Sequence, residues 1–269
     1  MASDRPLRVG VQIAPQHASY AEMRDAIARL EDMGVDIIFN WDHFFPLTGD
    51  RDGRHYEAWT MLAAMAEQTS RVEFGPLVNC NSYRNPDLQA DMARTIDHIS
   101  ARDGVGRFIF GTGSGWAQKD YDEYGYEFGT AGSRLDALAE DLPRIRARWA
   151  KLNPQPTRDI PILIGGGGER KTLKIVAQHA DIWHSFADPD ALEHKLGVLR
   201  TWCAEVGRDP DEIELSTGVS VRGLGTAKRA VLEHHYELGV RLMQGSISGP
   251  EFDFEPVQAL LDWRDEAGV

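Results

Sequence analysis

The sequence predicts an α/β fold of the (β/α)8 TIM-barrel type, in one domain spanning residues 1–269. Three observations carry this. Short apolar runs alternate with amphipathic helical patterns from end to end, which points to a parallel sheet with helices packed outside it. Eight such units fill 269 residues, a length and repeat count that suit a closed barrel. Two glycine-rich loops each follow an apolar run, but neither follows the first strand. Neither has GxGxxG spacing with an acidic residue about 20 positions on, which counts against a doubly wound sheet.

Strands are expected at 7–13, 36–40, 72–78, 106–111, 160–164, 181–186, 213–218 and 241–245. Helical faces lie between them. Tyr20, Met23, Ile27 and Leu30 make the first, and Leu88, Met92, Ile96 and Ile99 another. Leu135, Leu138, Leu142, Ile145 and Trp149 make a third, and Leu192, Leu196, Leu199 and Val206 keep the same 3/4 rhythm. Asp188-Pro189 reads as an N-cap followed by proline at the first helical position, and Thr226 and Pro256 look like further helix starts.

Composition narrows the class. With 42% hydrophobic and 26% charged residues the chain is an ordinary globular one. Its net charge of −13 repels nucleic acid and anionic membrane surfaces. Cys80 and Cys203 lie far apart without metal spacing, which suits a reducing cytosol. The N-terminus carries no apolar signal core, and no run reaches the roughly 18 apolar residues of a membrane helix. A cytoplasmic protein acting on a small molecule is expected, with no nucleic-acid or membrane partner. Many barrels of this kind pair through outer helices, so a homodimer is admitted rather than derived.

In a barrel the chemistry sits at the carboxyl ends of the strands. After the second strand comes Trp41-Asp42-His43-Phe44. A histidine beside a carboxylate in an aromatic run is a candidate acid/base group; the alternative is that Asp42 caps a turn and His43 packs under a loop. After the third strand, Asn79-Cys80-Asn81-Ser82-Tyr83-Arg84-Asn85-Pro86 offers amides and a thiol that can bond to or pack on a planar ring, while Asn85 can cap the next helix. The first glycine loop, Gly111-Thr112-Gly113-Ser114-Gly115, ends in Trp116. The second, Gly165-Gly166-Gly167-Gly168-Glu169-Arg170-Lys171-Thr172, opens a helix and adds two cations, a phosphate-binding pattern. Trp183-His184 ends the sixth strand, and His184 either lines a pocket or sits at the barrel rim. Scattered histidines give no metal site, and GxSxG is absent.

Together these segments resemble the luciferase-like oxidoreductases, most of all the branch that uses the deazaflavin coenzyme F420. The resemblance rests on Trp41-Asp42-His43-Phe44, Ser82-Tyr83-Arg84-Asn85-Pro86, the loop 111–116, Tyr124-Gly125 with Phe128, and residues 165–172 followed by Ala180-Asp181. It implies coenzyme phosphate on Gly167, Gly168, Arg170 and Lys171, ribityl chain and ring edge near Ser114 and Gly115, and the ring system near Asp42, Asn79 and Cys80. It also implies a non-proline cis peptide near Leu77-Val78-Asn79. His43 becomes the general acid/base, with Asp42 orienting it or meeting the coenzyme. Trp41, Phe44, Tyr83, Trp116 and Trp183 become the substrate wall. The family's sugar-phosphate dehydrogenases carry glutamate where this chain has Trp116, so a planar or apolar substrate is expected. The expected activity is hydride transfer between coenzyme F420 and such a substrate. An FMN-dependent monooxygenase using oxygen, a non-catalytic coenzyme-binding protein and an unrelated phosphate-binding barrel enzyme remain as alternatives.

Overall fold

The computed structural model describes residues 5–220 and 222–267. Nine parallel strand segments form one sheet: β1 (Arg8–Ile13), β2 (Ile37–Asn40), β3 (Glu73–Pro76), β4 (Asn79–Cys80), β5 (Phe110–Gly113), β6 (Ile162–Gly165), β7 (Ile182–Ser185), β8 (Glu214–Gly218) and β9 (Val240–Ile247). Their order is β3-β2-β1-β9-β8-β7-β6-β5-β4. Phe74 closes the ring by bridging Phe108, its amide donating to Arg107 O (3.1 Å) and its carbonyl accepting from Ile109 N (2.8 Å). The fold is therefore the expected barrel. The ninth segment arises because the strand expected at 72–78 is broken at Leu77-Val78, whose peptide is cis, and resumes as β4 alongside β5.

Nine α-helices appear among the described residues: α1 (Tyr20–Met33), α2 (Ala58–Gln68), α3 (Pro86–Ser100), α4 (Gln118–Tyr124), α5 (Ala131–Trp149), α6 (Thr172–His179), α7 (Pro189–Val206), α8 (Thr226–Glu237) and α9 (Glu255–Ala267). The short α4 is the addition to the eight expected. Local signals set the starts. Asn85 caps α3 by accepting from Asp87 N and Leu88 N, with Pro86 at the first turn, and Asp188 caps α7 ahead of Pro189. Among the described residues no helix is long and apolar enough to cross a membrane.

The first glycine run is mostly strand rather than loop, a correction to the sequence reading. A Cβ at Gly111 would overlap the Pro76 carbonyl oxygen, and one at Gly75 the Ile109 carbonyl oxygen. These glycines let the broken third strand and β5 approach closely.

Side chains alternate in and out along each strand. Inside the barrel, Ile37, Phe39, Leu77, Ile109, Leu163, Ile182 and Leu242 form a dry middle layer. Beneath them, at the N-terminal ends of the strands, Arg8 pairs with Glu73 and Glu214 (both 2.5 Å), and Arg158 with Glu73 (2.7 Å). The outward positions, Phe74, Phe108, Ile164 and Trp183 among them, pack under the helices. Burying each such side chain contributes about 1.5–3 kcal/mol.

Candidate active site

At the carboxyl ends of the strands lies a cavity of about 410 Å³. Its walls come from β2 and the segment after it (Trp41, Asp42, His43, Leu47), the broken third strand (Leu77, Val78, Asn79, Cys80), and Gly113–Trp116 after β5. Gln12, Tyr83, Gly165, Gly166 and Phe186 complete it. Most of the groups expected at the site thus meet in one place.

His43 is held from behind. Its Nδ1 lies 2.6 Å from Asp120 Oδ2. Asp120 stands on the first turn of α4, is nearly fully buried, and also accepts from Tyr83 O–H (3.0 Å) and Phe44 N–H (3.3 Å). A carboxylate only accepts, so this bond takes a proton on Nδ1, and in the neutral ring the lone pair then lies on Nε2. The rings of Trp116 and Trp41 stand edge-on to His43 at 5.4 and 6.5 Å. Trp116 lines the cavity and is 67% exposed.

Asp42 plays a different part from orienting His43. It accepts two bonds from Arg84 (2.7 and 3.0 Å) and one from the Cys80 amide (3.0 Å). Arg84 also reaches Glu57 at 2.7 Å. Burial raises the Asp42 carboxyl pKa, while the Arg84 guanidinium and the Cys80 N–H work in the opposite direction. The pair fixes the segment that carries Val78 and Cys80. Burial pushes the Cys80 thiol up to about 11, so it faces the cavity as a neutral thiol, 3.1 Å from Tyr121 Oη. Trp41 donates its Nε1–H to His55 Nε2 at 3.2 Å, and burial lowers His55 to about 4, keeping that acceptor neutral.

The structure departs from the expected wall at four points. Trp183 is fully buried among the helices and donates to Gly166 O at 2.7 Å. Strand alternation explains it: Ile182 and His184 point into the barrel, so Trp183 points out. Phe44 is stacked on Tyr124 at 3.9 Å, in an aromatic cluster behind the cavity. The Asn79 side chain is spent on Trp59 Nε1 (2.9 Å) and Gln89 Oε1 (2.8 Å), leaving mainly backbone to face inward. Only Gly165 and Gly166 of the second glycine loop reach the wall; Gly168, Arg170 and Lys171 are exposed on the loop beyond it. Lys171 is tied to Asp136 at 2.6 Å, and Lys195 donates to Gly167 O at 2.7 Å.

Asp120, Gln12 and Phe186 were not among the residues singled out. Asp120 falls four positions after Trp116, one helical turn into α4, and that proximity to the first glycine run was the available signal. Its partnership with His43 spans 77 positions and is invisible to local pattern.

The cavity walls suit a flat ring. A Cβ at Gly113 would come within 2.9 Å of Val78 Cγ2, and one at Gly165 within 3.0 Å of Val78 Cγ1. Side chains there would fill the shelf over Val78. Gly115, at φ +80°, has room for no side chain against Cys80 Sγ and the Tyr121 hydroxyl. The glycine surfaces of this wall fit the face of a planar heterocyclic ring.

The chain is thus a parallel barrel with a cavity at the carboxyl mouth, walled by the His43–Asp120 pair and by glycines packed on Val78. The family model for luciferase-like monooxygenases matches residues 6–238, and the chain belongs to that family. Among curated relatives, the F420-dependent glucose-6-phosphate dehydrogenase of Amycolatopsis mediterranei is 28% identical over 193 residues, 65% of this chain and 54% of that one. The chain thus spans about half the length of this relative. Among solved structures, an F420-dependent secondary alcohol dehydrogenase in complex with an F420-acetone adduct superposes with a TM-score of 0.82 at 17% identity, covering 96% of this chain and 98% of that one. A type II Baeyer-Villiger monooxygenase from Pseudomonas putida in complex with FMN gives 0.68 at 14% identity, covering 97% and 96%. At these identities the superpositions speak for the fold.

Proposed function

We propose that this protein is an oxidoreductase that binds coenzyme F420 and passes a hydride between it and a small planar or apolar organic substrate. The observation that carries the reading is that His43, held by Asp120, lines the same cavity as the glycines packed on Val78. The relative and the alcohol dehydrogenase named for F420 support the choice of coenzyme.

When bound, the coenzyme supplies the hydride acceptor or donor. Gly113, Gly165 and Val78 would hold its ring, Ser114 and Gly115 its ribityl edge, and the loop carrying Gly167, Gly168 and Arg170 its phosphate. Lys171 joins them only by leaving Asp136. Trp41 and Trp116 position the substrate and exclude water from the reacting face. His43 Nε2 takes the proton that leaves the substrate's heteroatom as hydride departs from the neighbouring carbon. In the reverse direction the imidazolium returns it. Asp120 keeps the ring oriented and stabilises its charged form.

Titration of the purified protein with coenzyme F420 and separately with FMN tests this. Tight binding of F420, with substrate-dependent bleaching of its absorption band, is the expected result. Binding of FMN alone, with oxygen uptake, would replace it by the monooxygenase reading, which the FMN-bound neighbour favours. Binding without turnover of any alcohol or carbonyl substrate would leave a coenzyme carrier.

A further inference from the structure

His184 has no part in that mechanism, yet it is the most anomalous polar group near the cavity. It lies on β7 with its side chain inside the barrel, directly above Ile182, and is fully buried. Nδ1 lies 2.8 Å from Ser216 Oγ on the neighbouring strand. Nε2 is buried and has no hydrogen-bond partner among the described residues. An orphaned buried polar atom costs stability and calls for an explanation.

The surroundings supply one. His184 pairs in register with Gly165, and its carbonyl accepts from the Gly166 amide at 3.1 Å; both glycines are cavity wall. Phe186, just past the end of β7, lies edge-on to the imidazole at 4.8 Å. Phe186 is itself cavity wall and is 72% exposed. One weakly packed side chain therefore stands at the boundary between the orphaned imidazole and the cavity.

We propose that His184, backed by Ser216 and screened by Phe186, is a hydrogen-bonding post for a carbonyl oxygen on the pyrimidinedione edge of the bound coenzyme, an edge that deazaflavins and flavins share. In this arrangement the Ser216 hydroxyl is the donor to Nδ1, so that the imidazole proton stands on Nε2 as a donor to the carbonyl. Burial lowers the His184 pKa to about 3, so the post is a neutral donor and no proton moves through it at neutral pH. Phe186 turns aside as the coenzyme enters, and a carbonyl oxygen takes its place beside Nε2. This deepens the coenzyme-binding reading given above and rests on it.

The test compares the wild-type protein with His184→Leu/Ser216→Ala, which removes both partners together, and with His184→Gln, whose amide keeps a donor near Nε2. Dissociation constants for coenzyme F420 and for FMN are read from fluorescence titration, and apo stability from thermal melts. The double variant should melt no lower than wild type, because it removes an unsatisfied buried group, yet bind the coenzyme about tenfold more weakly. His184→Gln should stay within about threefold of wild type. Unchanged affinity in a folded double variant would overturn the proposal and leave His184 a neutral core residue. If the double variant melts too low to titrate, the comparison passes to His184→Gln and His184→Met. Equal affinity in those two overturns the proposal, and weaker binding by His184→Met alone upholds it. If neither coenzyme binds wild type, the coenzyme reading itself falls, a result distinct from either.

Discussion

Asp120 Oδ2 sits 2.6 Å from His43 Nδ1, and the same oxygen accepts the Tyr83 hydroxyl. A carboxylate on the first turn of a short helix thus reaches across the barrel mouth to a histidine that left β2. Burial raises the Tyr83 hydroxyl pKa, so Tyr83 serves as a fixed donor to the carboxylate.

Asp120→Asn should cut turnover by about 10²-fold while leaving the coenzyme dissociation constant within a factor of about three. His43→Ala should cost about 10²–10⁴-fold with coenzyme binding likewise retained. Because the two act as a unit, the double variant should lose little beyond His43→Ala alone. Steady-state rates at saturating coenzyme check all three, and an additive double variant would separate the roles.

Asp42→Asn should act on the fold first. It removes the negative charge and one of the two acceptor oxygens, so Arg84 in its partly buried site loses its bidentate acceptor and an amide NH2 faces either the guanidinium or the Cys80 N–H. Breaking such a pair costs about 3–5 kcal/mol. Urea unfolding should show that loss, and the loss of stability should exceed any loss of coenzyme affinity expressed in the same units.

The glycines divide by consequence. Gly111→Ala drives a methyl into the Pro76 carbonyl and should yield little folded protein, seen as loss of soluble material. Gly165→Ala meets only the Val78 side chain, with Cγ1 nearest at 3.0 Å. It should fold, melt within a few degrees of wild type, and bind the coenzyme more weakly because the shelf is filled.

Burial lowers the pKa of His55, His179, His184 and His235, to about 4 for His55. The unfolded chain therefore binds more protons than the folded one below the ordinary histidine value of about 6.5. The stability these groups contribute is fully present above that value and declines as pH falls toward their folded values. Urea midpoints between pH 7.5 and 5 should fall with acidity, and His184→Leu/Ser216→Ala should show a shallower fall. A flat profile would contradict the burial of these rings.

The barrel was legible because its evidence is local. Alternating apolar runs, the Asn85-Pro86 and Asp188-Pro189 caps, and the glycine run after Ile164 each constrain a few neighbouring residues. The break at Leu77-Val78 was expected from family resemblance and not from the residues themselves. What escaped depends on direction and distance. Trp183 reads as cavity wall because a strand's starting face is not written in its sequence, and a one-residue phase decides whether a ring points into the barrel or to the helices. Asp42 read as the partner of His43 because it is adjacent in sequence, yet neighbours on an extended segment point apart. Asp120 lies 77 positions away and is brought back only by the packing of α4.

The ion cluster of Arg8, Glu73, Glu214 and Arg158, under the apolar layer, plugs the far end of the barrel. With that end closed, a coenzyme and substrate bound as proposed would both enter by the mouth at the carboxyl ends of the strands, and the one seated deeper on Val78 would have to arrive first and leave last.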